Sequence, residues 1–101
     1  MSSLPTDFMS LALKEARKAY DLDEVPVGSI IVHDGEVISS SYNQVISQNS
    51  VTAHAEINSI ILASKELNNY RLIDCDIYVT LEPCHMCAKA IVDARLRNLF
   101  F

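Results

Sequence analysis

The sequence predicts an α/β fold, a mixed sheet with helices packed on it. Three observations lead there. Helical and strand patterns follow one another as helix, strand, strand, helix, strand, helix, strand. The first two strands flank Asp34-Gly35, a turn pair that closes a β-hairpin, so they pair antiparallel. The later strands are separated by helices, which implies parallel pairing through right-handed crossovers. The chain has 101 residues, half of them hydrophobic and only two of them glycine. That is material for one domain, residues 1–101, around one core.

Each element has its own signal. Thr6 or Asp7 can cap a first helix, in which Phe8, Leu11, Ala12, Ala16 and Ala19 recur at helical spacing to about Leu22. Val27 to Val32 is apolar and β-branched, and Glu36 to Ser41 is its hairpin partner. A polar loop runs from Asn43 to Ser50. Thr52 is the expected N-cap of a second helix, with Ile57, Ile60, Ile61 and Leu67 on one face. Ile77 to Leu81 reads as the third strand. Pro83 suits the first turn of a third helix running to about Leu96, and Leu99 to Phe101 opens a fourth strand.

Composition narrows the function classes. No apolar run is long enough for a membrane span. The N-terminal stretch reads as a charged amphipathic helix, without the basic start and compact apolar block of a secretion signal. Cytoplasm is the expected compartment, where three cysteines bind metal or stay free more often than they form disulfides. The net charge of −5 lends no bulk support to nucleic-acid binding. Lys89, Arg95 and Arg97 could still form a local basic cluster, although a solvated helix face is the plainer reading.

Chemistry concentrates in two stretches, TAHAEINSI from Thr52 and LEPCHMCAKAI from Leu81. Cys84 and Cys87 are spaced i and i+3, neighbours on one helix face. They fall in a first turn, where free N–H groups and the positive end of the helix dipole favour thiolates. Two adjacent thiolates repel unless a cation lies between them. A Cys-x-x-Cys pair alone also fits a redox site. His54 shifts the balance, because one histidine and two cysteines make a zinc ligand set. The expected topology brings both helix starts to one sheet edge, where ligands collect in open α/β sheets.

No fourth protein ligand suggests itself. Cys75 lies at the other end of the third strand and reads as a small buried residue. His85 neighbours Cys84 on the helix and should point elsewhere, and His33 belongs to the hairpin turn. Three protein ligands with an open position mark a catalytic zinc site. Glu56, two residues from His54, does not share its helix face. Beside the ion but not on it, Glu56 can take a proton from water and pass it to a substrate nitrogen.

His54-Ala55-Glu56 followed by Pro83-Cys84-His85-Met86-Cys87 resembles the zinc-dependent nucleobase deaminases, whose H-x-E…P-C-x-x-C signature is a known pattern. DEVPVGSIIV, GEVI, YNQ, NNYRL, YVTLEPCHMCAKAIVDARL and LFF extend the resemblance over nearly everything from Asp23 on, within its tRNA adenosine deaminase branch. The resemblance implies a cytidine-deaminase-like, three-layer α/β/α fold and a homodimer. It implies zinc-dependent hydrolysis of adenosine to inosine at the wobble position, with the anticodon stem-loop of a tRNA as partner. By position, His54, Cys84 and Cys87 become the zinc ligands and Glu56 the acid/base. Asn43 matches the base-contacting asparagine, and Val27 and Ala53 match positions lining the base pocket. Without the resemblance, Asn43 would read as a turn former and Val27 and Ala53 as core. A deaminase of a free nucleobase or nucleoside, of the guanine or cytosine type, is the second expectation. A zinc-binding domain without catalysis is the third.

Four departures from the family pattern stand out. Ser50-Val51 replaces Asp-Pro before Thr52, so a looser loop is expected. Lys89 replaces a glycine after Ala88, and Asp93-Ala94 replaces a His-Ser pair. The family continues beyond Phe101 with a further strand and helix, so a truncated domain is expected.

Overall fold

The computed structural model describes residues 7–101. Its elements are α1 (Phe8–Asp21), β1 (Gly28–His33), β2 (Glu36–Tyr42), α2 (Ala55–Leu67), β3 (Cys75–Val79), α3 (His85–Asp93) and β4 (Asn98–Phe100). The strands form one sheet in the order β2-β1-β3-β4. β1 is antiparallel to both β2 and β3, and β3 pairs parallel with β4 through α3. The sheet is therefore mixed, as expected.

Asp7 caps α1, its carboxylate accepting from the Ser10 amide at 3.2 Å. Thr6, the other candidate cap, lies outside the described residues. His33 pairs with Glu36, which leaves Asp34 and Gly35 as a two-residue loop. Both have positive φ, 52° and 78°, the type I′ geometry an Asp-Gly pair favours.

Side-chain alternation along β1 sets the layers. Ile30 and Val32 pack with Ala12 of α1. Ile31 points the other way, into a cluster with Ala63 of α2, Ile77 of β3, and Ile91 and Ala94 around α3. α1 thus covers one face, and α2 and α3 cover the other, giving three layers. Gly28 starts β1 because α1 runs directly over it. A Cβ there would stand 2.0 Å from the Ala12 carbonyl oxygen and 2.5 Å from the Ala16 nitrogen.

Several boundaries differ from the sequence reading. α2 is capped by His54 and not by Thr52. The Thr52 hydroxyl is engaged with that of Ser50 at 3.0 Å, and the chain makes one further tight turn before the helix. The buried face of α2 is Ala55, Glu56, Ser59 and Ala63, while Ile61 is 47% exposed. Small residues are needed there because α2 lies close on the sheet: Ser59 Oγ donates to the Ser29 carbonyl at 3.1 Å, and Ser39 Oγ donates to the Ser59 carbonyl at 2.9 Å. β3 begins at Cys75, two residues earlier than expected, because Cys75 and Asp76 pair with His33 and Val32 of β1. α3 begins after Pro83 and Cys84 and stops at Asp93. Arg95 takes a left-handed φ of 65°, and the Leu96 amide turns back to the Ile91 carbonyl, closing the helix before Leu96.

Candidate active site

β2 and β3 both run antiparallel to β1, so they end at the same sheet edge. α2 and α3 start just beyond those ends. His54 is the N-cap of α2 and Cys84 the N-cap of α3. Both have extended backbones (φ −73° in each), and neither side chain makes a cap hydrogen bond. An N-cap side chain normally accepts from the helix. Here both are free to turn toward each other instead.

His54 Nδ1 lies 3.6 Å from Cys84 Sγ and 3.4 Å from Cys87 Sγ. All three ligand atoms fall within 4.8 Å of one another, and among the described residues they form a group that could hold one metal ion. The geometry fits zinc. With Zn–S near 2.3 Å and Zn–N near 2.05 Å, a tetrahedral angle places nitrogen and sulfur about 3.6 Å apart. Cys87 is fully buried, and burial pushes its thiol pKa well up, with the Glu56 carboxylate raising it further. A thiolate in that position needs a cation beside it.

A cleft of about 210 Å³ opens at the group, lined by Val25, Val27, Asn43, His54, Glu56, Leu81, Glu82 and Cys84. Glu56 stands in the first turn of α2, buried, and belongs to the cleft but not to the three-atom group. Asn43 leaves the end of β2 and is buried. Its Oδ1 accepts from the Val45 amide at 3.0 Å, which turns its NH2 group away from that contact.

The family model for the cytidine and deoxycytidylate deaminase zinc-binding region matches residues 2–101. The chain belongs to this family. This deaminase-family chain is 54% identical over 96 residues to a tRNA-specific adenosine deaminase of Agrobacterium fabrum, covering 95% of this chain and 63% of that protein. It is 53% identical to the chloroplastic tRNA(adenine(34)) deaminase of Arabidopsis thaliana, over 91% of this chain and 7% of that protein. The chain thus spans less than two thirds of the length of these relatives. Among solved structures, one from a study of A-to-I editing by tRNA:A34 deaminases superposes with a TM-score of 0.90 at 55% identity, covering 91% of this chain and 71% of the other. The guanine deaminase of Bacillus subtilis superposes at 0.89 with 39% identity, covering 92% and 60%.

The deaminase fold therefore brings His54, Cys84, Glu56, Asn43 and Val27 to one cleft, with Cys87 buried beside His54 and Cys84. Ala53 is buried and is not part of the cleft wall; its carbonyl accepts from the Gln44 amide at 2.9 Å. Val25, Leu81 and Glu82 line the cleft but were not singled out in the sequence. Alternation backward from Val27 could have marked Val25, and Leu81-Glu82 immediately precedes Pro83. Cys75 sits in the core at the start of β3, and His85 is exposed at the start of α3. The three basic residues do not make one patch at the cleft. Lys89 is held by both oxygens of Asp93 at 2.8 Å. Arg97 grips Asp76 at 3.1 and 3.0 Å near the start of β3, the end away from the site.

Proposed function

We propose that this chain carries out zinc-dependent hydrolytic deamination of adenosine to inosine at the wobble position of a tRNA anticodon. The carrying observation is the juxtaposition of the His54-Cys84-Cys87 group with a buried carboxylate, Glu56, in one base-sized cleft. His54, Cys84 and Cys87 would hold the ion, which when bound supplies a Lewis acid that activates water at neutral pH. Glu56 takes a proton from the attacking water and delivers it to the base, so that the exocyclic nitrogen departs as ammonia. Asn43 offers its NH2 group to an acceptor on the base. Val27 supplies an apolar wall. The similarity to the tRNA deaminases of Agrobacterium and Arabidopsis supports the substrate.

The partner is the anticodon stem-loop, presented with the target base flipped out of its stack. With a net charge of −5, RNA contact is local to the cleft rim rather than spread over the surface. A homodimer belongs to the same proposal; Ile61 and Leu62 on α2 and Val92 on α3 are apolar and exposed, a surface suited to a second copy. Cytoplasm, where tRNA is processed, is the proposed location; among the described residues no helix is long and apolar enough to cross a membrane.

The similarity to a guanine deaminase favours a second reading, deamination of a free base. Incubating the zinc-loaded protein separately with an anticodon stem-loop RNA bearing adenosine at the wobble position, with guanine and with cytidine distinguishes the two. Inosine in the RNA alone is the expected result. Turnover of a free base without inosine in RNA would replace the proposal with the second reading.

A further inference from the structure

Glu24 is a buried carboxylate with no part in the proposed chemistry. It is only 5% exposed, yet among the described residues it forms no ion pair. Each of its oxygens accepts from a backbone amide twenty-odd residues on: Oε1 from Ile46 at 3.0 Å and Oε2 from Ser47 at 2.7 Å. Burial opposes its ionisation, but these two amides and the Ser47 hydroxyl outweigh it and hold its pKa below the usual carboxylate range. It is thus a charged, two-point clamp on the loop between β2 and α2.

The location of the clamp matters. Glu24 immediately precedes Val25 and Val27, which line one side of the cleft. The loop it grips begins at Asn43, which lines the other side. The two segments meet again where the Asn43 amide donates to the Val27 carbonyl at 3.1 Å. Between these ties lies Val45, whose amide donates to Asn43 Oδ1 at 3.0 Å and fixes the direction of the Asn43 side chain. Ile46, the next residue, is the one Glu24 holds. The path from carboxylate to asparagine is therefore one peptide unit long.

We propose that Glu24 is a positioning residue for substrate binding: by clamping the Ile46 and Ser47 amides it places the Val45 amide that orients the Asn43 side chain in the cleft. The proposal rests on the reading of this cleft as a base pocket. The loop is tied by Glu24 at one end and by the Ser50–Thr52 hydroxyl pair at the other.

Glu24→Gln keeps the size of the side chain but turns one acceptor into a donor facing an amide N–H. Steady-state kinetics on the stem-loop RNA should show KM raised about tenfold with kcat changed less than about threefold. Zinc content should stay at the wild-type value. On an Asn43→Ala background, Glu24→Gln should add little, because the side chain it positions is gone. In NMR, the Asn43 side-chain NH2 resonance should shift and the Val45, Ile46 and Ser47 amides should lose exchange protection. An unchanged KM, a full additional loss on the Asn43→Ala background, or an unmoved Asn43 resonance would each overturn the proposal. If the wild-type protein lacks turnover, the functional reading falls, and the Asn43 resonance and amide protection still decide the clamp.

Discussion

Ser29 is fully buried on β1, and its hydroxyl has no hydrogen-bond partner among the described residues. Its carbonyl is the useful part, accepting from Ser59 Oγ. Ser29→Ala removes an unsatisfied buried hydroxyl and keeps that carbonyl, so it should stabilise the fold by about 1 kcal/mol. A rise in the urea midpoint with an unchanged slope would bear this out, and a fall would mean that the hydroxyl is satisfied in solution. At this scale the sequence was unevenly legible. His54, Cys84 and Cys87 were readable because metal ligation tolerates few residue types at fixed spacings. Glu24 was not readable, because its partners are backbone amides that carry no residue signature. Val25, Leu81 and Glu82 were likewise hidden, since lining a cleft requires no particular chemistry.

The hairpin was read to within a residue, because a two-residue Asp-Gly loop fixes the register of both strands. The face of α2 was read in part: Ile60 and Leu67 pack against the core cluster while Ile61 is exposed, and the helix approaches the sheet so closely that alanine and serine take the innermost positions. Hydrophobic periodicity registers large residues and is nearly silent on small ones. The same closeness governs Gly28. Gly28→Ala would drive a methyl into the α1 backbone at Ala12 and Ala16, and it should cost about 3 kcal/mol or leave the protein unfolded. Thermal unfolding of that variant checks the contact; a wild-type midpoint would show that α1 is free to retreat.

Asp76 on β3 joins the element to the segment entering β4 through Arg97 and Asn98. The Arg97 hydrogen bond outweighs the cost of burial and lowers its pKa. The folded-state pKa is therefore below the unfolded value of about 3.9. The stability gained is fully present above that unfolded value and is lost as pH falls through the folded one. An acid titration of unfolding midpoints should be steeper below pH 4 for wild type than for Asp76→Asn. Parallel curves would mean that the pair contributes nothing.

On the scale of the whole molecule, three layers and a mixed sheet exist to bring two helix starts to one edge. The mixed sheet and the shared edge were legible from element order alone, since β2 and β3 had to run the same way for α2 and α3 to begin together; the three layers were what the family resemblance implied. What order could not supply was how the two N-caps face each other, because both forgo ordinary capping. An ion held by His54, Cys84 and Cys87 would tie α2 to α3, so metal removal should loosen the fold as well as the site. Chelation should lower the unfolding temperature of wild type by several degrees. It should have no effect on Cys84→Ala, which should already lack the metal. A wild-type midpoint insensitive to chelator would count against the ion as a link between the helices.

In the proposed reaction neighbouring residues carry two separate tasks: His54, Cys84 and Cys87 hold the metal, and Glu56 moves the proton. Zinc content and inosine formation in an anticodon stem-loop RNA, measured on the same samples of wild type and Glu56→Gln, test it most directly. The expected result is about one zinc per chain in both proteins, with inosine formed by wild type and reduced at least about a hundredfold in the variant. Inosine formed at the wild-type rate by Glu56→Gln, or zinc lost along with activity, would contradict the division of labour.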